Sequence, residues 1–121
     1  MEVNELRVGN FVWEEYGGLY EVININSEGF GYVDLRKPTF KCIGRYEIGS
    51  VKPIPLTEEW LVKFGFEKDD TIWIKHPIYG LLEKNGRFFV ELGETGGIYV
   101  KYIHQLQNLY FALTGEELKL K

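Results

Sequence analysis

Short β-prone runs separated by glycine fill the first half of the chain. Phe11-Val-Trp-Glu-Glu15 leads into Tyr16-Gly-Gly18, Leu19-Tyr-Glu-Val-Ile-Asn-Ile25 into Asn26-Ser-Glu-Gly29, and Phe30-Gly-Tyr-Val-Asp-Leu35 into the break at Pro38. Each Gly-containing gap is a hairpin signal, so these runs predict a meander of antiparallel strands. In the second run Leu19, Glu21, Ile23 and Ile25 alternate with Tyr20, Val22 and Asn24. The first set reads as the apolar side, and Glu21, which interrupts it, places one end of that strand near a sheet edge. Phe40-Lys-Cys-Ile43 and Arg45-Tyr-Glu-Ile-Gly-Ser-Val51 add one or two further short strands.

The second half changes pattern. Pro53-Ile-Pro-Leu-Thr57 is a stiff connector, because each Pro fixes its own φ and pushes its predecessor to extended geometry. Thr57 is a candidate N-cap, Glu58 and Glu59 fall in the first turn where the helix dipole favours anions, and Gly65 is a C-terminal stop. Those two carboxylates therefore have a structural task. Thr71 to Lys75, Tyr79 to Lys84 and Arg87 to Leu92 then read as strands, the last two joined by Asn85-Gly86 as a primed two-residue turn. Ile98-Tyr-Val100 is a fourth candidate strand. From Val100 a helical pattern runs to Gly115, with an apolar stripe at Tyr102, Leu106, Leu109 and Leu113 and a polar side that includes His104, and a short strand-like tail from Glu117 to Lys121 follows.

The predicted fold class is α+β. Residues 1–52 form a small antiparallel β-barrel, and residues 53–121 an α+β unit with a three- to four-stranded antiparallel sheet and two helices, the two sharing one core. Four or five short twisted strands with Gly turns match a Src-homology-3-like barrel of the Tudor or KOW type. The segment Leu6-Arg-Val-Gly-Asn-Phe-Val12 resembles the first strand of such barrels. In the second unit Ile72, Ile74, Phe88, Val90, Leu92, Ile98 and Val100 fall on one parity, the face expected against the helices. Trp73, Phe89 and Tyr99, with Arg87, fall on the other. That second face is too aromatic for a plain solvated surface, so it packs internally or forms a candidate interaction face.

Composition narrows the chemistry. A 45% hydrophobic, 26% charged chain of 121 residues is globular rather than disordered. The net charge of −4, without a concentrated basic patch, disfavours nucleic acid and anionic lipid. Cys42 is the single cysteine and reads as a small buried hydrophobe in a reducing compartment. With His76 and His104 as the two imidazoles and no Cys or acidic cluster at ligand spacing, neither a metal nor a cofactor is expected. His76 reads as a turn residue and His104 as a surface residue. The start of the chain lacks a basic segment followed by an apolar core, and no apolar run reaches the roughly 18 residues of a membrane span, so a soluble cytoplasmic protein is expected.

Asn4 to Asn10, Pro53 to Phe66 and Val100 to Leu118 resemble, in order, segments of an uncharacterised family of short proteins from gut bacteria of the Bacteroides kind and from their phages and mobile elements. The resemblance implies no activity, no cofactor and no catalytic residue. It implies a small accessory protein. The leading functional expectation is a non-enzymatic protein-interaction module binding a protein partner or itself. The alternatives are a nucleic-acid-binding small barrel and a protein that sequesters a nucleotide signal, with Trp13, Tyr16, Trp73 or Tyr99 stacking on the base and Arg7, Arg36, Arg45 or Arg87 holding phosphate. An enzyme would draw on Glu14-Glu15, Asp69-Asp70 or Glu116-Glu117, acids that in turns are ordinarily solvated.

Overall fold

Antiparallel pairing of short strands accounts for most of the structure, a computed structural model that describes residues 5–15, 18–26, 31–37, 43–91 and 96–120. The chain separates into two units, Met1–Ile54 and Pro55–Lys121. The first contains β1 (Phe11–Glu14), β2 (Gly18–Asn26), β3 (Tyr32–Arg36), β4 (Ile43–Glu47) and β5 (Val51–Lys52), with a 3-10 turn at Ile48–Ser50 dividing what reads in sequence as one strand. The second contains α1 (Glu58–Lys63), β6 (Glu67–Asp69), β7 (Ile72–Lys75), β8 (Ile78–Lys84), β9 (Arg87–Glu91), β10 (Gly97–Val100) and α2 (Ile103–Thr114). The fold is α+β, and the described residues form two five-stranded antiparallel sheets and two helices. Among the described residues no helix is long and apolar enough to cross a membrane.

The first sheet has the order β4-β3-β2-β1-β5. No pairing closes it into a barrel among the described residues. Its interior is formed by Leu6, Val12, Tyr20, Val22, Val33, Leu35 and Val51, with Ile25, Tyr46 and Ile48 packed against them. This reverses the side expected for β2, and the register shows why. Val22 pairs with Leu35 and Asn24 with Asp34, so Ile23 is an extra residue, a β-bulge. Tyr20 and Val22 point inward before it and Ile25 after it. Glu21 lies in mid-sheet rather than near an edge, on the opposite face, where it pairs with Arg36 at 3.2 Å. Tyr16 and Gly17 of the first expected turn, Ser27 to Gly29 of the second, and Phe30, Pro38, Phe40, Cys42 and Leu92 lie outside the described residues.

In the second unit α1 forms where its caps dictate. Thr57 Oγ1 accepts from the Trp60 N–H, and beyond Phe64 the Gly65 and Phe66 N–H groups donate to Val62 and Leu61 carbonyls. That is a Schellman closure, and it requires the left-handed φ of 86° at Gly65. The second sheet runs β10-β9-β8-β7-β6, five strands rather than three or four. The additional strand, β6, is the charged and exposed Glu67-Lys-Asp69, which carries no hydrophobic signal. Asn85 and Gly86 both have positive φ, 56° and 76°, as a primed turn requires.

Helix α2 begins with Gln105 Oε1 accepting from the Lys101 and Tyr102 N–H groups and ends at left-handed Gly115. Its buried residues are Ile103, His104, Leu106 and Gln107. The expected stripe therefore holds at Leu106 alone, since Leu109 is half-buried and Leu113 is 48% exposed. Apolar residues surround this helix, so hydropathy offers more than one stripe and packing selects among them. His104, expected at the surface, is buried and stacks on Tyr102 with an interplanar angle of 11°. The tail from Glu117 to Leu120 has no regular structure, although Leu118 is buried.

Leu106→Ala is expected to cost about 2–5 kcal/mol, the range for a cavity in a packed core, whereas Leu113→Ala should stay within about 0.5 kcal/mol, as surface substitutions do. Urea denaturation of the two variants, compared at equal m-value, checks the assignment of the buried stripe.

Candidate functional site

Strands β8, β9 and β10 set their side chains in cross-strand rows. Lys84 pairs with Arg87 across the Asn85-Gly86 turn, and Phe88 pairs with Val100, so continuing that register by one step brings Lys101 opposite Arg87. Three cations thus line up across the end of the sheet. The adjacent row on the same face is Leu82, Phe89 and Tyr99, extended to Ile72 on β7. Phe89 and Tyr99 meet edge to face with ring centroids 5.1 Å apart, and Tyr99 is 65% exposed.

Trp73 does not belong to this face. It pairs with Leu81, Leu81 with Val90 and Val90 with Ile98, which puts Trp73 on the opposite side from Phe89 and Tyr99, and it is 4% exposed. The cause is again one residue. Lys75 pairs with Ile78 but Trp73 with Leu81, so three steps on β8 match two on β7, and a bulge at Tyr79-Gly80 shifts the phase. Without that extra residue Ile72 would face Leu81, and Trp73 would share the side of Phe89. The buried set is therefore Trp73, Ile78, Leu81, Phe88, Val90 and Val100 rather than one containing Ile72 and Ile74, which are half-buried. Ile98 lies in the Trp73 row, yet on edge strand β10 it is 43% exposed.

Where the cationic row meets the connector from the first unit there is a cleft of about 490 Å³, lined by Pro55, Leu56, Gly86, Arg87, Phe88, Tyr99, Val100 and Lys101. The lining contains two cations and no carboxylate. Arg36 is engaged by Glu21 at 3.2 Å, Arg45 by Asp34 at 3.0 Å and Lys68 by Glu58 at 3.4 Å. Among the described residues Lys84, Arg87 and Lys101 have no ion pair. Like charges set opposite one another across strands repel, so this row is more favourable with an anion beside it than without one. Lys101 Nζ also lies 5.3 Å above the Tyr102 ring, a cation–π contact. Sequence reasoning found Arg87 and Tyr99 but missed Lys84 and Lys101, although the Asn-Gly turn alone sets Lys84 opposite Arg87.

The other candidates are dispersed. Trp13 is half-exposed on β1, Tyr16 lies outside the described residues, and the Arg7 guanidinium donates to the Val8 carbonyl. Arg36 and Arg45 stand on the outer face of the first sheet, where Arg45 also covers the Tyr32 ring at 4.4 Å. Asp69 ends β6 and Asp70 follows in the turn, both exposed, while Glu14 is buried and Glu15 exposed. Glu116 and Glu117 line a second cleft of about 500 Å³ with Lys75, Tyr110 and Lys119. The Glu83 carboxyl is raised above the ordinary range by its hydrogen bond to Glu58, which is itself lowered, first by that same bond and then by Lys68, and both side chains are at the surface. His76 hydrogen-bonds the Tyr79 hydroxyl in the turn between β7 and β8. Among the described residues no group of three His, Cys, Asp or Glu side chains is arranged to hold a metal ion.

The carboxyl of Asp34 is held below its ordinary value of 3.8, first by the hydrogen bond from Arg45 and then by that from Asn24. A depressed folded-state pKa confers stability that is present above the unfolded value and lost as pH falls through the folded one. Asp34→Asn is therefore expected to lower the urea midpoint at neutral pH, with the gap from the wild type closing as pH drops below 3.8. A gap independent of pH would assign the loss to geometry rather than charge. Set beside known proteins, the chain matches no protein-family model, no curated protein and no solved structure.

Proposed function

We propose that this chain is a non-enzymatic protein-interaction module, and that the Phe89–Tyr99 face with Arg87 and the adjoining cleft is its binding surface. The observation that carries the reading is the juxtaposition of a largely exposed tyrosine, stacked edge to face on Phe89, with cations that have no ion pair among the described residues. Aromatic and arginine side chains supply most interface hot spots, because they bury large areas at modest entropic cost. In the same reading Met1–Ile54 is a small barrel of the Tudor or KOW type. Support comes from the order β4-β3-β2-β1-β5, in which the last strand returns to the first, the arrangement from which a short meander closes. The accessory role in a phage or mobile element rests on the resemblance of the three sequence segments.

A second reading, capture of a small anionic ligand, is favoured by the volume of the cleft, which falls within the span of ligand pockets. Affinity capture from extract of the native host, followed by intact-assembly mass measurement, separates the two. The wild type is expected to retain a protein partner or a second copy. Tyr99→Ala should lose it by about 2 kcal/mol or more, while Ile43→Ala, at an exposed site on the first unit, keeps it. Retention by Tyr99→Ala, or an assembly that carries only a small-molecule mass increment, would sink the interaction reading.

A further inference from the structure

We propose that the open edge of β10 receives an acidic, extended peptide segment of a partner protein as a sixth strand, its carboxylates lying toward Lys101 and, behind it, Arg87. This deepens the interaction reading above and rests on it. The sheet order ends on β10, so one side of that backbone has no neighbouring strand among the described residues. The connector from the first unit shows which backbone groups face that side. The Leu56 N–H donates to the Lys101 carbonyl at 2.9 Å, and Pro55 bridges Tyr102 in antiparallel sense. In a strand the N–H and C=O of alternate residues point the same way. The amide groups of Tyr99 and Gly97 therefore face the open side as well, while Ile98 and Val100 turn theirs toward β9. The connector leaves this lane at Thr57, where α1 begins, and an incoming strand would take it over beside Tyr99 and Gly97.

Glycine at 97 keeps the lane straight. A Cβ there would lie 2.0 Å from the Val90 carbonyl oxygen and 2.8 Å from the Phe89 ring, so any side chain would push β10 off β9. Strand addition of this kind draws affinity from main-chain hydrogen bonds and specificity from alternate side chains. Here the specificity is electrostatic. A side chain of the added strand on the Tyr99 face sits one strand spacing, about 4.8 Å, from the β10 positions, within reach of Lys101 and of the longer Arg87 behind it. A carboxylate at that position replaces like-charge repulsion along the row with attraction. A second copy of the chain fits less well, because Gly97-Ile-Tyr-Val-Lys101 offers no acid of its own and self-pairing would add cations to the row.

The test is selection from a randomised peptide display library on the wild-type protein, followed by amide chemical-shift mapping with the best selected peptide. The expected result is enrichment of acids at alternating positions, with shifts at Gly97, Tyr99 and Lys101. The exposed double variant Arg87→Glu with Lys101→Glu, folded by circular dichroism, should bind that peptide roughly tenfold or more weakly. Arg87→Lys should retain most of the affinity, and N-methylation of alternate peptide amides should abolish it. Enrichment without acidic bias, shifts located elsewhere, or undiminished binding of the N-methylated peptide would overturn the acidic-strand proposal while leaving the interaction reading intact. Equal shifts at these amides with guanosine monophosphate in place of the peptide would overturn it in favour of a small anionic ligand. If the library enriches nothing, the proposal also falls, whatever partner the capture experiment returns.

Discussion

Strict two-residue alternation of side chains across a sheet is the constraint on which both units depend. Because the period is two, a single inserted residue exchanges the faces of everything beyond it in the strand. Among the described residues that exchange occurs at Ile23 in β2 and at Tyr79-Gly80 in β8. The first allows Val22 and Ile25 to serve one interior although they are three positions apart. The second does the same for Ile78 and Leu81, and it turns the Trp73 indole inward. Bulges are local in sequence and global in effect, which is why the hydrophobic cores of both sheets hang on two positions that bury little themselves.

The candidate surface follows from the same geometry. With Trp73 inside, the opposite face retains Phe89 and Tyr99 as its aromatic pair, and the tight Asn85-Gly86 turn fixes Lys84 against Arg87. Exposed unit charges a few ångströms apart in water repel by only about 1 kcal/mol, so the fold tolerates the row without a counter-ion. The same charges have a larger effect once an incoming group excludes water from them. Arg36 with Glu21 and Arg45 with Asp34 show the alternative, cations compensated by carboxylates within the fold.

Local signals were legible and phase relations were not. The Thr57 cap, the Gly65 stop, the Asn85-Gly86 turn and the run of short strands each depend on residues within a few positions of one another, and each was readable. Face assignments between strands depend on bulges that hydropathy does not mark, so sequence parity alone groups Trp73 with Phe89 and Tyr99. β6 leaves no hydropathy signal, because Glu67-Lys-Asp69 owes its pairing to β7 rather than to any apolar pattern. Hydropathy does not single out the buried stripe on α2, because Ile103, Leu106, Leu109, Tyr110 and Leu113 surround the helix and only tertiary packing selects the buried side. At the candidate site, Arg87 and Tyr99 were found as residue types. The cationic row was missed because it exists only in the register.

The burial of Trp73 also gives the molecule a built-in optical label. Its indole is enclosed, and Nε1 has no hydrogen-bond partner among the described residues, whereas Trp13 on the other unit is half in water. An enclosed, undonated indole emits at shorter wavelength than a wet one, so the blue edge of the fluorescence reports mainly on Trp73 in Pro55–Lys121, and Trp13 in Met1–Ile54 contributes at the red edge. Trp60, half-buried on α1, adds to the signal of the second unit. Following the two edges separately through a denaturant titration therefore shows whether the units melt as one cooperative body or in sequence, since coincident transitions are the mark of two-state behaviour.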